Sequence, residues 1–294
     1  MLNEPRLLVC TDFSPSSDQA LRLAQSLALK TNGQLILIHA AEVMFYMDWG
    51  AHLPEREDGK QKFSSLIHVD LLDKMHQQLE RYKAKAKCEV VFSYDAAKSV
   101  FNLVKEEKIN LVVIGGTGVN HSGHHSLGRL ARKVAAQCPC PVLVARTDNL
   151  GEKVASLIDP ESLDTAVKDW GRELALLGGQ ELEVLAVCEN AWAFLSPGPV
   201  IDADRVLKAL KQQSEEILSR HKDNLSGWVP KETKLTVLSA NMKGTGRQIV
   251  DWLEAEHIQT AVLSRHKKSL VQRLFLGSVS SKVLELYQGN VLVC

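Results

Sequence analysis

Short apolar runs alternate with amphipathic stretches along the whole chain. Leu7–Cys10 is apolar and closes on Thr11-Asp12. Ser14-Pro-Ser-Ser17 then offers a helix cap, and Ala20, Leu21, Ala24, Leu27 and Ala28 recur at the spacing of a buried helix face. Asn32-Gly33 breaks that helix, and Leu35–Ala40 reads as a buried strand. Ile67, Leu71, Met75 and Leu79 mark one face of a long helix, followed by a strand at Val90–Phe92 and a helix from Val100. Leu111–Ile114, closed by Gly115-Gly116, is a further apolar strand. A helix around Val134–Ala136 and a strand at Pro141–Ala145 complete the series. Apolar strands separated by helices predict a parallel sheet covered on both faces.

The second half passes through the same events. Val154–Ile158 leads to Asp159, and Leu163, Ala166, Trp170, Leu174 and Leu177 mark the next helix. Leu182–Val187 is the counterpart of Leu35–Ala40. A helix over about 204–221 and strands at Leu235–Leu238 and Thr260–Leu263 follow. Helices containing Ile249–Leu253 and Val283–Leu286 and a strand at Asn290–Val293 finish the pattern. Leu7 and Val154 lie 147 residues apart, a period that means a duplicated domain and not a solenoid. The polar stretch Thr147-Asp-Asn-Leu-Gly151 is the expected boundary, giving domains at 1–147 and 151–294.

Composition narrows the function classes. The chain of 294 residues has 45% hydrophobic residues, enough for two cores, and its 35 basic and 35 acidic residues cancel. Bulk positive charge for nucleic-acid binding is therefore absent, and no nucleic-acid partner is expected. The net charge is +3 over residues 1–147 and −3 over 148–294, a difference able only to bias the docking of the halves. No apolar run reaches the roughly 18–20 residues of a membrane span, and the N-terminus shows no secretory pattern, so no membrane insertion and a cytoplasmic address are expected. Six scattered cysteines do not form a disulfide framework. Cys138-Pro-Cys140 lacks the two-residue gap of a redox or zinc knuckle, and neither role is expected of it.

In an open α/β sheet, ligands bind beyond the carboxyl ends of the strands. Thr11-Asp12 follows strand one, Ala40 ends strand two, and Ile114-Gly115 ends strand four, with Gly118 and Gly128 beyond. Glycines there let backbone approach a phosphate, which the N–H groups of a following helix can hold; equally, they can serve tight turns alone.

These residues carry a resemblance. Leu7-Leu-Val-Cys-Thr-Asp-Phe-Ser14, Ile38-His39-Ala40, Gly115-x2-Gly118-x9-Gly128 and Cys138-Pro-Cys-Pro-Val-Leu-Val144 resemble the universal stress protein (UspA-like) family, here as two fused copies. The resemblance implies two Rossmann-like or flavodoxin-like domains of the adenine nucleotide α-hydrolase-like class, each a five-stranded parallel sheet with helices on both faces. It implies that Asp12 and Ala40 hold adenosine and that Gly115, Gly118 and Gly128 hold ribose and phosphates of ATP or AMP, with Mg only alongside ATP; Thr11, Ile114 and Arg129, which adjoin them, complete the candidate nucleotide-binding set. Arg129 departs from the family, which has Ser or Thr there; a guanidinium can pair with phosphate in bidentate fashion, with Arg132 and Lys133 a turn further on. The second copy departs otherwise. Asp159, Val187, Gly277 and Ser278 match, but Ser264 and Lys267 replace the first two glycines, so a structural role or another ligand is expected. Family members pair through their last strand, which implies that Val142–Ala145 and Val291–Val293 approach each other within one chain, a homodimer being the further option.

Weaker constellations remain. His121, His124 and His125 lack an acidic or Cys neighbour and are expected to be solvated, with no metal. Lys243-Gly-Thr-Gly-Arg247 reads as a turn, and His39 as a satisfied core histidine. Trp192, Phe194 and Pro197-Gly-Pro199 read as a cover for a pocket or an interdomain contact. No positioned nucleophile–base pair is legible, so catalysis is at most slow ATP hydrolysis. The expected function is a stress-response ligand sensor binding nucleotide in its first domain. The alternatives are a non-nucleotide interaction protein, or a binder of an apolar, lipid-like ligand in the second domain.

Overall fold

The computed structural model describes residues 3–42, 57–116, 127–160, 162–179, 181–188, 215–216, 219–227, 229, 233–240, 244–265 and 276–294. Two compact units part between Asn149 and Leu150. Gly118, the three loop histidines, Lys267 and the 192–199 segment lie outside the described residues, as does most of the expected 204–221 helix, although residues 219–227 are helical.

The first unit contains β1 (Arg6–Cys10), α1 (Pro15–Thr31), β2 (Gln34–Glu42), α2 (Glu57–Arg81), β3 (Lys87–Ser93), α3 (Ala96–Glu106), β4 (Leu111–Gly115), α4 (Arg129–Gln137) and β5 (Val142–Ala145). The second contains β6 (Lys153–Ile158), α5 (Thr165–Gly178), β7 (Glu181–Cys188), β8 (Lys234–Ser239), α6 (Thr245–Ala255), β9 (Thr260–Leu263), α7 (Ser278–Leu286) and β10 (Asn290–Val293). Strand order is β3-β2-β1-β4-β5 in one unit and β8-β7-β6-β9-β10 in the other. That is the doubly wound order in which the chain goes one way from β1 and then returns to its other side, so the Rossmann-like of the two expected topologies holds. Leu7, Leu8, Val9, Leu111, Val112 and Val113 are fully buried, as central strands covered on both faces require.

Local chemistry sets the element ends. The Ser14 hydroxyl accepts from Ser17 N at 3.2 Å to cap α1, Pro15 opens the helix, and Asn32 closes it in the left-handed region at φ 52°. Asp164 caps α5, which Gly179 closes at φ 62°. The two helices end at equivalent places, yet α1 has 17 residues and α5 has 14, so α5 begins about one turn later. Of the predicted stripe of α2, Leu71, Met75 and Leu79 are buried, while Ile67 is only partly so.

The duplication is also visible in ion pairs at the amino ends of the strands. Arg6 and Lys87 converge on Glu107 at 2.6 and 2.9 Å in the first unit. Lys234 meets Glu256 at 2.5 Å in the second, and Lys153 Nζ donates to the Glu256 carbonyl at 3.1 Å. The second cluster has an addition. Glu183, only 2% exposed, lies 3.4 Å from Lys153 and 3.1 Å from Lys234. Its register partner is Lys234, as that of Ile36 is Lys87, so the buried carboxylate occupies the place of an isoleucine.

Candidate functional site

Parallel register brings the carboxyl ends of three strands side by side: Cys10 pairs with Ile38 of β2 and with Ile114 of β4. The strand order reverses between β1 and β4, where side connections diverge and leave a crevice. A cavity of about 150 Å³ opens there, lined by Thr11, Asp12, Ala40, Ile114, Gly115, Gly128 and Arg129 from the sequence-derived set. Cys10, Ser14, Ser17, His39, Val100 and Leu130 also line it.

The floor is a hydrogen-bonded polar network. Thr11 N donates to Ile38 O at 2.9 Å, and the Thr11 hydroxyl donates to Gln78 Oε1 at 3.0 Å and accepts from Phe13 N at 3.1 Å. Gln78 Nε2 donates to Asp18 at 2.6 Å, and Tyr82 OH donates to the same carboxylate at 2.8 Å. Thr11, Ser17 and Gln78 are all buried, so α2 is tied to the end of β1 by groups whose polar atoms have partners. Asp12 Oδ1 accepts from Ser14 N at 3.0 Å, while Oδ2 has no protein partner among the described residues.

His39 is half-buried, stacked on Phe13 at 4.7 Å between ring centroids, with Nδ1 2.9 Å from Thr11 O. A carbonyl can only accept, so Nδ1 carries the hydrogen and Nε2 remains an acceptor. Burial pushes the imidazole below its usual value, outweighing the Thr11 hydrogen bond and the Asp12 charge, which act upward. The folded protein therefore favours neutral His39, and an unfolded chain binds its proton first as pH falls through about 6.5. Stability from this site is present above that pH and is lost as pH falls through the lower folded value. Hydrogen-exchange protection of the Leu7–Cys10 strand is expected to drop on acidification from about pH 8 to about pH 5.5, and to drop less in His39→Asn, whose amide keeps the donor to Thr11.

At the opposite wall, Gly128 stands at the N-cap of α4 with φ −59° and ψ 148°, an ordinary extended conformation. No side chain caps this helix and its first turn has no acidic residue, so its N–H groups and the exposed Arg129 together make this an electropositive end. Lys133 does not share in this: it pairs with Asp95 at 2.7 Å, and its hydrogen bond holds the Asp95 carboxyl below the usual carboxylate range. Gly115 has a packing reason to be glycine. A Cβ there would lie 2.7 Å from the backbone carbonyl carbon and oxygen of Ser16 in α1.

The second unit places its matching residues similarly. Asp159 follows β6, whose Ile158 pairs with Ala186, and the buried Val187 comes next on β7. Gly277 is the N-cap of α7 and Ser278 its first residue. The Asp159 carbonyl accepts from Ser162 and Leu163, and the Ser280 hydroxyl donates to Ser264 O at 3.2 Å. Ser264 stands where the first unit has Gly115; the later start of α5 removes the helical turn that Gly115 must clear.

Two doubly wound α/β units in tandem define the class of protein. The universal stress protein family profile matches residues 5–146 and again 152–294, and the chain belongs to that family as a two-domain member. Over 151 residues it is 26% identical to universal stress protein YxiE of Bacillus subtilis, covering 48% of this chain and 98% of that one. It is 34% identical over 114 residues to a universal stress protein of Methanothermobacter thermautotrophicus, covering 38% of this chain and 75% of that one. The crystal structure of a universal stress protein from Archaeoglobus fulgidus matches with a TM-score of 0.65 at 17% identity, across 99% of this chain and 98% of that one. Among the described residues no helix is long and apolar enough to cross a membrane.

Proposed function

We propose that the first unit binds an adenine nucleotide, ATP or AMP, and that the protein acts as a ligand sensor in a stress response. The observation that carries this reading is the convergence of Thr11, Asp12, Ala40, Ile114, Gly115, Gly128 and Arg129, from three strand ends and one helix start, on a single cavity at the strand-order reversal. Its volume of about 150 Å³ is below the 300–1,000 Å³ usual for whole small-molecule ligands, so part of the nucleotide lies over the start of α4. Asp12 Oδ2 accepts from ribose hydroxyls, and the α4 N–H groups with Arg129 take phosphate. Arg129 thus replaces the hydroxyl donor found in the family at this position. The second unit, with Ser264 in place of the first glycine, serves as scaffold.

Calorimetric titration of the full chain with AMP, and with ATP plus Mg, tests this. One site is expected, in the first unit. Asp12→Asn keeps the acceptor for Ser14 N and removes the anionic one, and is expected to weaken binding by about tenfold or more. Asp159→Asn is expected to change nothing. Absence of binding heat together with absence of co-purifying nucleotide would overturn the proposal in favour of an interaction protein.

A further inference from the structure

The segment joining α4 to β5 contains a pair of thiols brought together by the backbone. Cys138 is the C-cap of α4: its N–H donates to Val134 O, and its φ and ψ of −60° and 136° turn the chain out of the helix. Pro139 follows, Cys140 comes next, and Pro141 precedes β5. The turn leaves Cys138 Sγ and Cys140 Sγ 3.7 Å apart. Cys138 is 1% exposed, while Cys140 is partly exposed and its thiol donates to the Pro141 carbonyl at 3.6 Å, so Cys140 is the more accessible of the pair. The one-residue spacing, read from sequence, argues against redox chemistry; the approach of the two sulfurs argues for it.

We propose that Cys138 and Cys140 form a reversible dithiol–disulfide site whose co-reactant is a low-molecular-weight disulfide of the glutathione class. The Cys140 thiolate attacks one sulfur of the small disulfide, forming a mixed disulfide and releasing one small thiolate. Cys138, as thiolate, then attacks the Cys140 sulfur; the Cys138–Cys140 bond forms and the second small thiolate leaves. Two protein thiols are oxidised, one small disulfide is reduced, and the two protein protons end on the two small thiols. The protein sulfurs must close from 3.7 Å to the roughly 2.05 Å of a disulfide, a movement taken up by the C-terminal turn of α4 and the Pro-flanked link. A ring this small holds its disulfide under constraint, which makes the bond readily reduced and suits a site that cycles.

The test is incubation of the full-length protein with excess glutathione disulfide, acid quenching, alkylation and peptide mass spectrometry. The peptide containing residues 138–140 is expected to become two hydrogens lighter without taking up alkylating agent, and to regain both alkylation sites after excess reduced glutathione. Cys138→Ser is expected to trap glutathione on Cys140, and Cys140→Ser to leave Cys138 unmodified. A wild-type peptide that stays dialkylated, or that carries glutathione on Cys140 with no internal bond, overturns the proposal. That readout needs no variant to fold and is independent of whether nucleotide binds.

Discussion

Replacing Lys153 and Lys234 together by Met is expected to destabilise the second unit by about 3 kcal/mol, because it leaves the Glu183 carboxylate buried without a counter-charge. Glu183 is 2% exposed, and among the described residues its ion pairs are to these two lysines. The figure sits at the low end for breaking a buried pair because Lys234 is half-exposed and water reaches that side of the cluster. The Glu256 carboxylate, otherwise shared with Lys234, would then add repulsion. The first unit supplies the control. Ile36 occupies the place of Glu183 there, beside an equivalent cluster of Arg6, Lys87 and Glu107. Glu183→Ile is therefore expected to change stability by less than about 1 kcal/mol, since both lysines retain Glu256 and the isoleucine enters an apolar strand. Urea unfolding followed by tryptophan fluorescence, which four of the five tryptophans report from residues 150–294, distinguishes the variants. An unchanged midpoint in the double Met variant would remove the claim that the carboxylate is held by these charges.

Gly115→Val is the other large effect, expected to destabilise the first unit by about 2–3 kcal/mol. The new Cβ would meet the backbone of Ser16, which cannot rotate aside as a side chain can, so α1 must shift away from β4. Ser264 in the second unit shows the condition under which a side chain is accepted at this position: a helix that starts about one turn later. Hydrogen exchange of the Leu7–Cys10 and Leu111–Gly115 strands is the measurement, with faster exchange expected in both while β6 and β9 are unaffected. Loss of nucleotide affinity with unchanged strand protection would instead make Gly115 a ligand-approach residue.

Much of the candidate site was legible in the sequence because strand ends are local features. An apolar run that stops at Thr11-Asp12 or at Gly115 marks where backbone leaves the sheet, and parallel strands bring their ends to one edge; β2 instead runs two residues past the expected end at Ala40, to Glu42, because it still pairs with β3 there. His39 has the same signal, a polar residue ending an apolar run, yet it reads as a core histidine until its stacking on Phe13 and its place on the cavity are known. Val100 and Leu130 carry no signal, since an apolar residue on a helix face looks alike whether it meets core or cavity. Gln78 lies sixty-seven residues from Thr11, its hydrogen-bond partner, and nothing in the spacing marks that pair.

By itself the sequence determined the alternation of strands and helices, the duplication, the family and the edge of the sheet where a ligand would sit. Those follow from periodicity, from turn residues and from motifs, all of which are written along the chain. Only the tertiary structure decided the strand order β3-β2-β1-β4-β5, the packing reason for Gly115 and the pairing of Lys133 with Asp95. It also decided the burial of Glu183 and the closeness of the Cys138 and Cys140 thiols. Each of these depends on which backbone or charge arrives from elsewhere in the fold or on how the chain turns in space, and residue spacing carries neither.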